Sequence, residues 1–253
     1  MSATTSDLSD PTRSLIDHVC PKIRDLGWAH YFAAETVARG EELGLDFLKF
    51  YVVGRGGVLG DVEASVVSSA FGYFKPSLIA DQWNAACAVI APRAAGREYG
   101  ESAARYGRAK LSDVAGLETF CEAAGAVNDA ADDSALALYA GWKAEPLADD
   151  PPARAMQLTA VLRELRGSAH LLAVRASGVL PRQAHAVARP RDLAMFGWQP
   201  EDVPEPTEAD RTGLAAAEVL TDRLVAPAYA VLDGSGATAL RDGIDAIEAA
   251  LVG

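Results

Sequence analysis

The residues best equipped for chemistry in this 253-residue chain lie in one stretch, Arg163-Glu164-Leu165-Arg166-Gly167-Ser168-Ala169-His170. On a helix Arg163, Arg166 and His170, spaced i, i+3 and i+7, share a face. Leu162, Leu165, Ala169 and Leu172 form an apolar stripe beside them. Three cation-capable groups on neighbouring turns repel one another unless an acid or an anion joins them. The pattern suggests a pocket wall in which Arg163 and Arg166 hold an anionic group and His170 is a general acid or base. A second polar–aromatic group is His30, Tyr31, Phe32 and Glu35, with Tyr31 and Glu35 one helical turn apart. Tyr51, Tyr73, Phe74 and Trp83 extend it, and Arg55 is either solvated or turned into a cleft. Ligand pockets between helices are built in this way, mostly apolar with a few placed polar groups. The same aromatics also serve as plain core, and His170 then is a hydrogen-bonded histidine at the edge of a helix contact.

Other chemistries lack their residues. Phe47 to Val53 followed by Gly54-Arg55-Gly56-Gly57-Val58-Leu59-Gly60 imitates a strand and phosphate loop. A dinucleotide loop wants its third glycine where Leu59 stands, and no Gly-Lys-Ser/Thr closes a Walker loop. His18, His30, His170 and His185 lack the i, i+4 spacing of a helical zinc site, so neither a metal nor a cofactor is expected. Gly234-Ser235-Gly236 sits in a polar turn without the context of a nucleophile elbow.

Half the residues are hydrophobic and 23% are charged, the balance of a soluble globular protein that buries a proper core. No apolar run approaches a bilayer span, and Met1 to Pro11 lacks a basic start and an apolar signal core, so a cytoplasmic address is expected. Cys20, Cys87 and Cys121 are scattered and odd in number, as small core residues of a reducing compartment are. The net charge of −12 is unevenly spread: residues 111–150 carry −8, residues 154–191 carry +6 and residues 192–253 carry −9. An acidic chain with one arginine belt is not a general nucleic-acid binder, since phosphate binding needs a sizeable positive face. The belt is expected to be neutralised by its acidic flanks on folding.

Helical periodicity runs from end to end and no alternating strand with a hairpin turn occurs, which predicts an all-α, multi-helix bundle. Helices are expected at 13–26 with Pro21 as a kink, 28–43, 45–53, 61–71 capped by Asp61, 76–90, 92–108, 112–127 capped by Ser112 and 129–142. After the acidic, proline-rich break at Ala148-Asp149-Asp150-Pro151-Pro152 come 153–176, 182–188, 191–196, 208–232 with an interruption at Pro227, and 237–251. The break divides an N-terminal helical domain, 1–148, from a C-terminal one, 153–253, unless the two form one continuous globule.

Several segments together resemble a poorly characterised actinobacterial family that carries a helix-turn-helix label. They are His30-Tyr31-Phe32-Ala33-Ala34-Glu35, Phe50 to Gly60, Ala70-Phe71-Gly72-Tyr73-Phe74-Lys75-Pro76, Leu162 to His170 with its Arg-Gly-x-x-His signature, and Leu220-Thr221-Asp222-Arg223 with Pro227. The likeness covers most of the chain. It implies a winged-helix-like C-terminal half resembling regulators. The chain departs from that pattern at Gln199 to Thr207, which is acidic and proline-rich where a recognition wing would be basic.

Three functions follow. The first is a small-molecule binding protein, its ligand a natural product or other anionic metabolite, held by His30, Tyr31, Glu35, Arg55, Tyr73, Phe74, Trp83, Arg163 and Arg166. The second is an enzyme using His170 in the same pocket. The third is a ligand-responsive regulator with a degenerate helix-turn-helix. So many amphipathic helices also leave room for a homodimer.

Overall fold

The computed structural model describes residues 10–252; the leader reading of Met1 to Pro11 falls largely outside them. Among the described residues there are twelve α-helices, a few short 3-10 turns and no strand, so the all-α bundle stands. The helices are α1 Asp10–Leu26, α2 Ala34–Glu42, α3 Phe47–Gly56, α4 Ala64–Phe71, α5 Pro76–Cys87 and α6 Pro92–Leu111, then α7 Leu117–Ala130, α8 Ala137–Lys143, α9 Pro151–Ala176, α10 Pro181–Ala188, α11 Glu208–Tyr229 and α12 Gly234–Val252. No helix among the described residues is long and apolar enough to cross a membrane.

α9 is the axis of the molecule. It packs against α1, α6, α7, α8, α10 and α11. Its first half is buried nearly all round, from Ala153 through Leu165, with Gln157, Thr159 and Glu164 among the buried residues. The proline-rich break turns out to be its N-terminus: the Asp150 side chain accepts the Ala153 N–H at 3.2 Å, and Pro151 and Pro152 occupy first-turn positions where their missing N–H groups cost nothing. Asp150 also accepts from Arg108 of α6, at 2.8 Å. One buried apolar cluster runs from Leu15 to Ile247 and takes residues from both sides of Asp150.

Several boundaries differ from expectation, each for a local reason. The expected helix 28–43 is broken, because Ala29–Phe32 winds as a 3-10 turn and Ala33 is extended with ψ 138°. Asp61 and Ser112 do not cap: α4 starts after Glu63, and Ser112 ends α6 in helical backbone. Pro21 and Pro227 break nothing, since each ring sits on an exposed face and the helix continues through it. Leu172, assigned to the apolar stripe, is 41% exposed.

The α6–α9 contact depends on a missing side chain. A Cβ at Gly107 would lie 2.3 Å from the Pro152 carbonyl oxygen and 2.8 Å from Met156 Cβ, whereas one at Gly125 of α7 would meet nothing within 4 Å. Both are helix-interior positions, where alanine gains up to ~1 kcal/mol over glycine. Urea unfolding is therefore expected to show Gly125→Ala stabilised by that amount and Gly107→Ala destabilised by ~1–3 kcal/mol of overpacking. Equal midpoints for the two variants would refute the close-packing argument.

Candidate functional site

The site begins with a buried carboxylate. Glu164 is 2% exposed, within the most enclosed part of α9. Arg55, from the last turn of α3, grips it with two parallel bonds: Nε donates to Oε1 and Nη2 to Oε2, both at 2.8 Å. The Arg163 Nη1 donates to Oε1 at 3.1 Å and the Tyr31 hydroxyl donates to the same oxygen at 3.2 Å. Burial pushes the Glu164 carboxyl up, but the Arg55 charge and hydrogen bonds, followed by Arg163 and Tyr31, outweigh it and hold it below its ordinary value. The aromatic surroundings fit the cations as well: the Arg55 guanidinium lies 4.4 Å from the Phe71 ring centre and Arg163 lies 5.4 Å from that of Tyr31.

On the other side of this ion pair lies a cavity of about 240 Å³. Arg24, Arg55, Arg163, Arg166 and Arg189 line it, and among the described residues the only acid in its lining is Glu218. Glu218 accepts from Arg166 Nη2 at 2.8 Å. Four buried polar atoms of lining residues have no hydrogen-bond partner: the Tyr73 hydroxyl, His185 Nε2, Arg163 Nε and Arg166 Nε. Burial, with Asp192 opposing it and Arg189 reinforcing it, lowers the His185 pKa to about 4, so this ring is neutral at pH 7. His185 and Phe74 both pack on Phe196, with ring centres 4.2 Å apart in each pair. Tyr73 is fixed through its backbone, whose carbonyl accepts from Trp198 Nε1 at 2.7 Å.

The tautomer of His170 follows from hydrogen-bond capacity. The Thr221 hydroxyl sends its one proton to the Ala217 carbonyl at 2.7 Å and lies 2.9 Å from His170 Nδ1. It can only accept there, so Nδ1 carries the ring proton and Nε2 keeps its lone pair. Nε2 is 3.7 Å from Glu218 Oε1. Burial, with Glu218 opposing it and Arg166 and Arg24 reinforcing it, lowers the His170 pKa. The result is a neutral ring able to accept a proton or a hydrogen bond.

The structure places Arg55, Tyr73, Phe74, Arg163, Arg166 and His170 around this cavity. Tyr31 lies behind the ion pair. With His30 it lines a separate space of about 30 Å³, where His30 Nδ1 and the Tyr99 hydroxyl have no partner. Glu35 and Trp83 do not join the site. The break at Ala33 turns Glu35 out to solvent, and Trp83 is core, its Nε1 donating to the Val62 carbonyl at 3.1 Å. Sequence reasoning passed over Glu164 as a binding partner, as well as Glu218, Thr221 and His185. For Glu164 a signal existed, since it is the one acid among seven arginines in 154–191.

Comparison with known proteins adds a family. The chain belongs to a helix-turn-helix family, whose model matches residues 18–253. No curated protein and no solved structure matches it significantly. In the fold, α9 and α10 are joined by the tight turn Ser177-Gly178-Val179-Leu180, with Gly178 in the left-handed region at φ +77°. Residues 183–186 of α10 are buried.

Removing one member of a buried ion pair leaves the other charge stranded. Glu164→Gln is expected to cost ~3–5 kcal/mol in chemical denaturation, because Arg55 and Arg163 then share no carboxylate. A loss under 1 kcal/mol would show that Glu164 does not organise this region. Histidines set a second expectation. Burial, with some help from Arg163, lowers the His30 pKa to about 3, while an unfolded histidine protonates near 6.5. Between those values the unfolded chain holds more protons, so stability falls as pH drops, by ~1.4 kcal/mol per unit for each such histidine. His185 contributes the same slope down to about pH 4. Thermal unfolding between pH 6.5 and 4.5 is expected to show this decline, and a shallower one in His30→Leu; equal slopes in the two proteins would rule out a buried neutral His30.

Proposed function

We propose that the protein binds a small molecule bearing an oxyanion, a carboxylate or phosphate, in the cavity between α3, α9, α10, α11 and the turn at Tyr73. One observation carries the reading: four residues that line one cavity, Tyr73, Arg163, Arg166 and His185, each carry a buried polar atom without a partner. Buried polar groups are nearly always hydrogen-bonded, and an unmet one costs ~1–3 kcal/mol. Several at one cavity suit a ligand that supplies acceptors. Guanidinium N–H groups also make the stronger, charge-assisted bonds to such a ligand. The lone pair on His170 Nε2 would take a hydroxyl or amide proton from the ligand.

Membership of a helix-turn-helix family favours a second reading, a ligand-responsive regulator that contacts nucleic acid. Against it stand the burial of α10 and the charge of α11, where Glu208, Asp210, Glu218 and Asp222 outnumber Arg211 and Arg223. Anisotropy of a labelled DNA duplex separates the two. Affinity that falls steeply between 50 and 200 mM salt, as it does by ~10³–10⁵ for proteins with many phosphate contacts, would support the regulator.

Tyr73→Phe tests the anion reading without disturbing the fold. The hydroxyl it deletes has no partner in the protein, so the melting temperature should hold or rise. Affinity for acetate and inorganic phosphate, followed by NMR titration, should fall about tenfold or more, the effect of losing a hydrogen bond to a charged group. If the unaltered protein binds neither anion, the proposal fails.

A further inference from the structure

We propose that the ligand is an amphiphile whose anionic head sits in the arginine-lined cavity and whose apolar tail lies along the groove beside it; this rests on the anion-binding reading above. The groove runs between α4, α5, the segment before α8, the second half of α9 and the start of α10, and has a volume of about 1210 Å³. In a chain of net charge −12, no acid among the described residues lines it, and the only ionisable side chains among them that do are Arg175 and Arg182. Three large apolar side chains stand open on it: Val66 at 44%, Leu172 at 41% and Leu180 at 43% exposure. A folded chain leaves a contiguous apolar surface of this kind where something apolar covers it.

Three observations tie the groove to the cavity. Ala70, Phe74, Ser168 and Leu171 line both, so the two share a wall. Beside that wall is Gly167, where a Cβ would meet nothing within 4 Å. Glycine inside a helix costs ~1 kcal/mol against alanine, and packing gives no reason for it here. Gly167 lines the cavity next to Ser168 of the shared wall, and its missing side chain leaves that edge of the cavity open. Size points the same way. The cavity of about 240 Å³ is smaller than the ~300–1,000 Å³ of ordinary ligand pockets, so it suits a head group, and the groove supplies room for the rest.

The test is an NMR titration of the full chain with butyrate, octanoate and dodecanoate, each below its micelle concentration. Affinity should rise with chain length by about fourfold per methylene, which is ~0.8 kcal/mol per buried CH₂ at 1.4 kcal/mol per tenfold. Leu172→Glu, at an exposed position, should abolish that gain and leave butyrate binding unchanged. Val66→Glu, at a second exposed position that lines the groove and not the cavity, should do the same, so a folding defect in either variant leaves the other to decide. Equal affinity for butyrate and dodecanoate would overturn the tail assignment and leave the anion reading standing. Failure of all three to bind would end both. A chain-length gain that persists in both variants would put the tail elsewhere and overturn the proposal. So would a concentration-dependent dimer in sedimentation that Leu172→Glu dissolves and dodecanoate does not, because the groove would then be an interface between copies.

Discussion

The buried carboxylate of Glu164 is the constraint on which the rest depends. An ion taken from water into a protein interior costs several kcal/mol unless good geometry and further hydrogen bonds recover it. Glu164 recovers it by drawing three elements onto one point: Arg55 from α3, Tyr31 from the 3-10 turn before α2, and Arg163 from its own helix. Such convergence requires backbones to come close. It is therefore consistent that Gly27 faces Arg163, where a Cβ would lie 2.6 Å from that residue's own Cβ, and that Gly54, one residue before Arg55, faces Tyr99 at 2.6 Å. Ion pair and glycines form a single arrangement, in which the charge decides who must meet and the missing side chains let them.

The same pair sets the sign of the cavity. Glu164 offers one negative charge to two guanidinium groups, so that cluster retains about one positive charge. Arg166 is balanced by Glu218, with Asp222 farther off at 3.9 Å. Neutralisation of the arginine belt by its acidic flanks thus happens in part. Arg166 meets residues of the acidic C-terminal stretch, while Arg163 turns inward to the belt's only acid. The local excess lies where water is scarce, and there each charge counts for more than on the surface.

The helices and the grouping of Arg163, Arg166 and His170 on one wall were legible in the sequence, because both follow from a period of 3.6. What was not legible depended on chain reversals. Tyr31 and Glu35 would share a face on a helix, and a single extended residue at Ala33 separates them. Asp150-Pro151-Pro152 reads as a break and serves instead as the cap of the longest helix, since the same residues suit both roles. His185 and Thr221 reach the site from α10 and α11, with no periodic relation to α9 that a linear reading could use. Glu164 was visible as the one acid of the arginine belt, but an acid beside arginines reads as local charge balance, and only its burial turns it into an organising residue.

Helices α9 and α10, joined by a tight turn, have a particular task in this architecture. For such a pair to read a duplex, the second helix must keep one face clear for the groove. Here α10 buries residues 183–186, sets His185 against Phe196, and puts Ala184, His185 and Ala188 into the lining of the arginine cavity. The turn at Gly178 thus folds α10 back as a wall of the cavity whose floor is α9. A wall with an unpartnered nitrogen, facing a floor with two unpartnered guanidinium N–H groups, is costly as pure scaffolding. An apolar ring in place of His185 would fold at least as well. That the cost is carried on both sides of one cavity is the physical reason for proposing a ligand there.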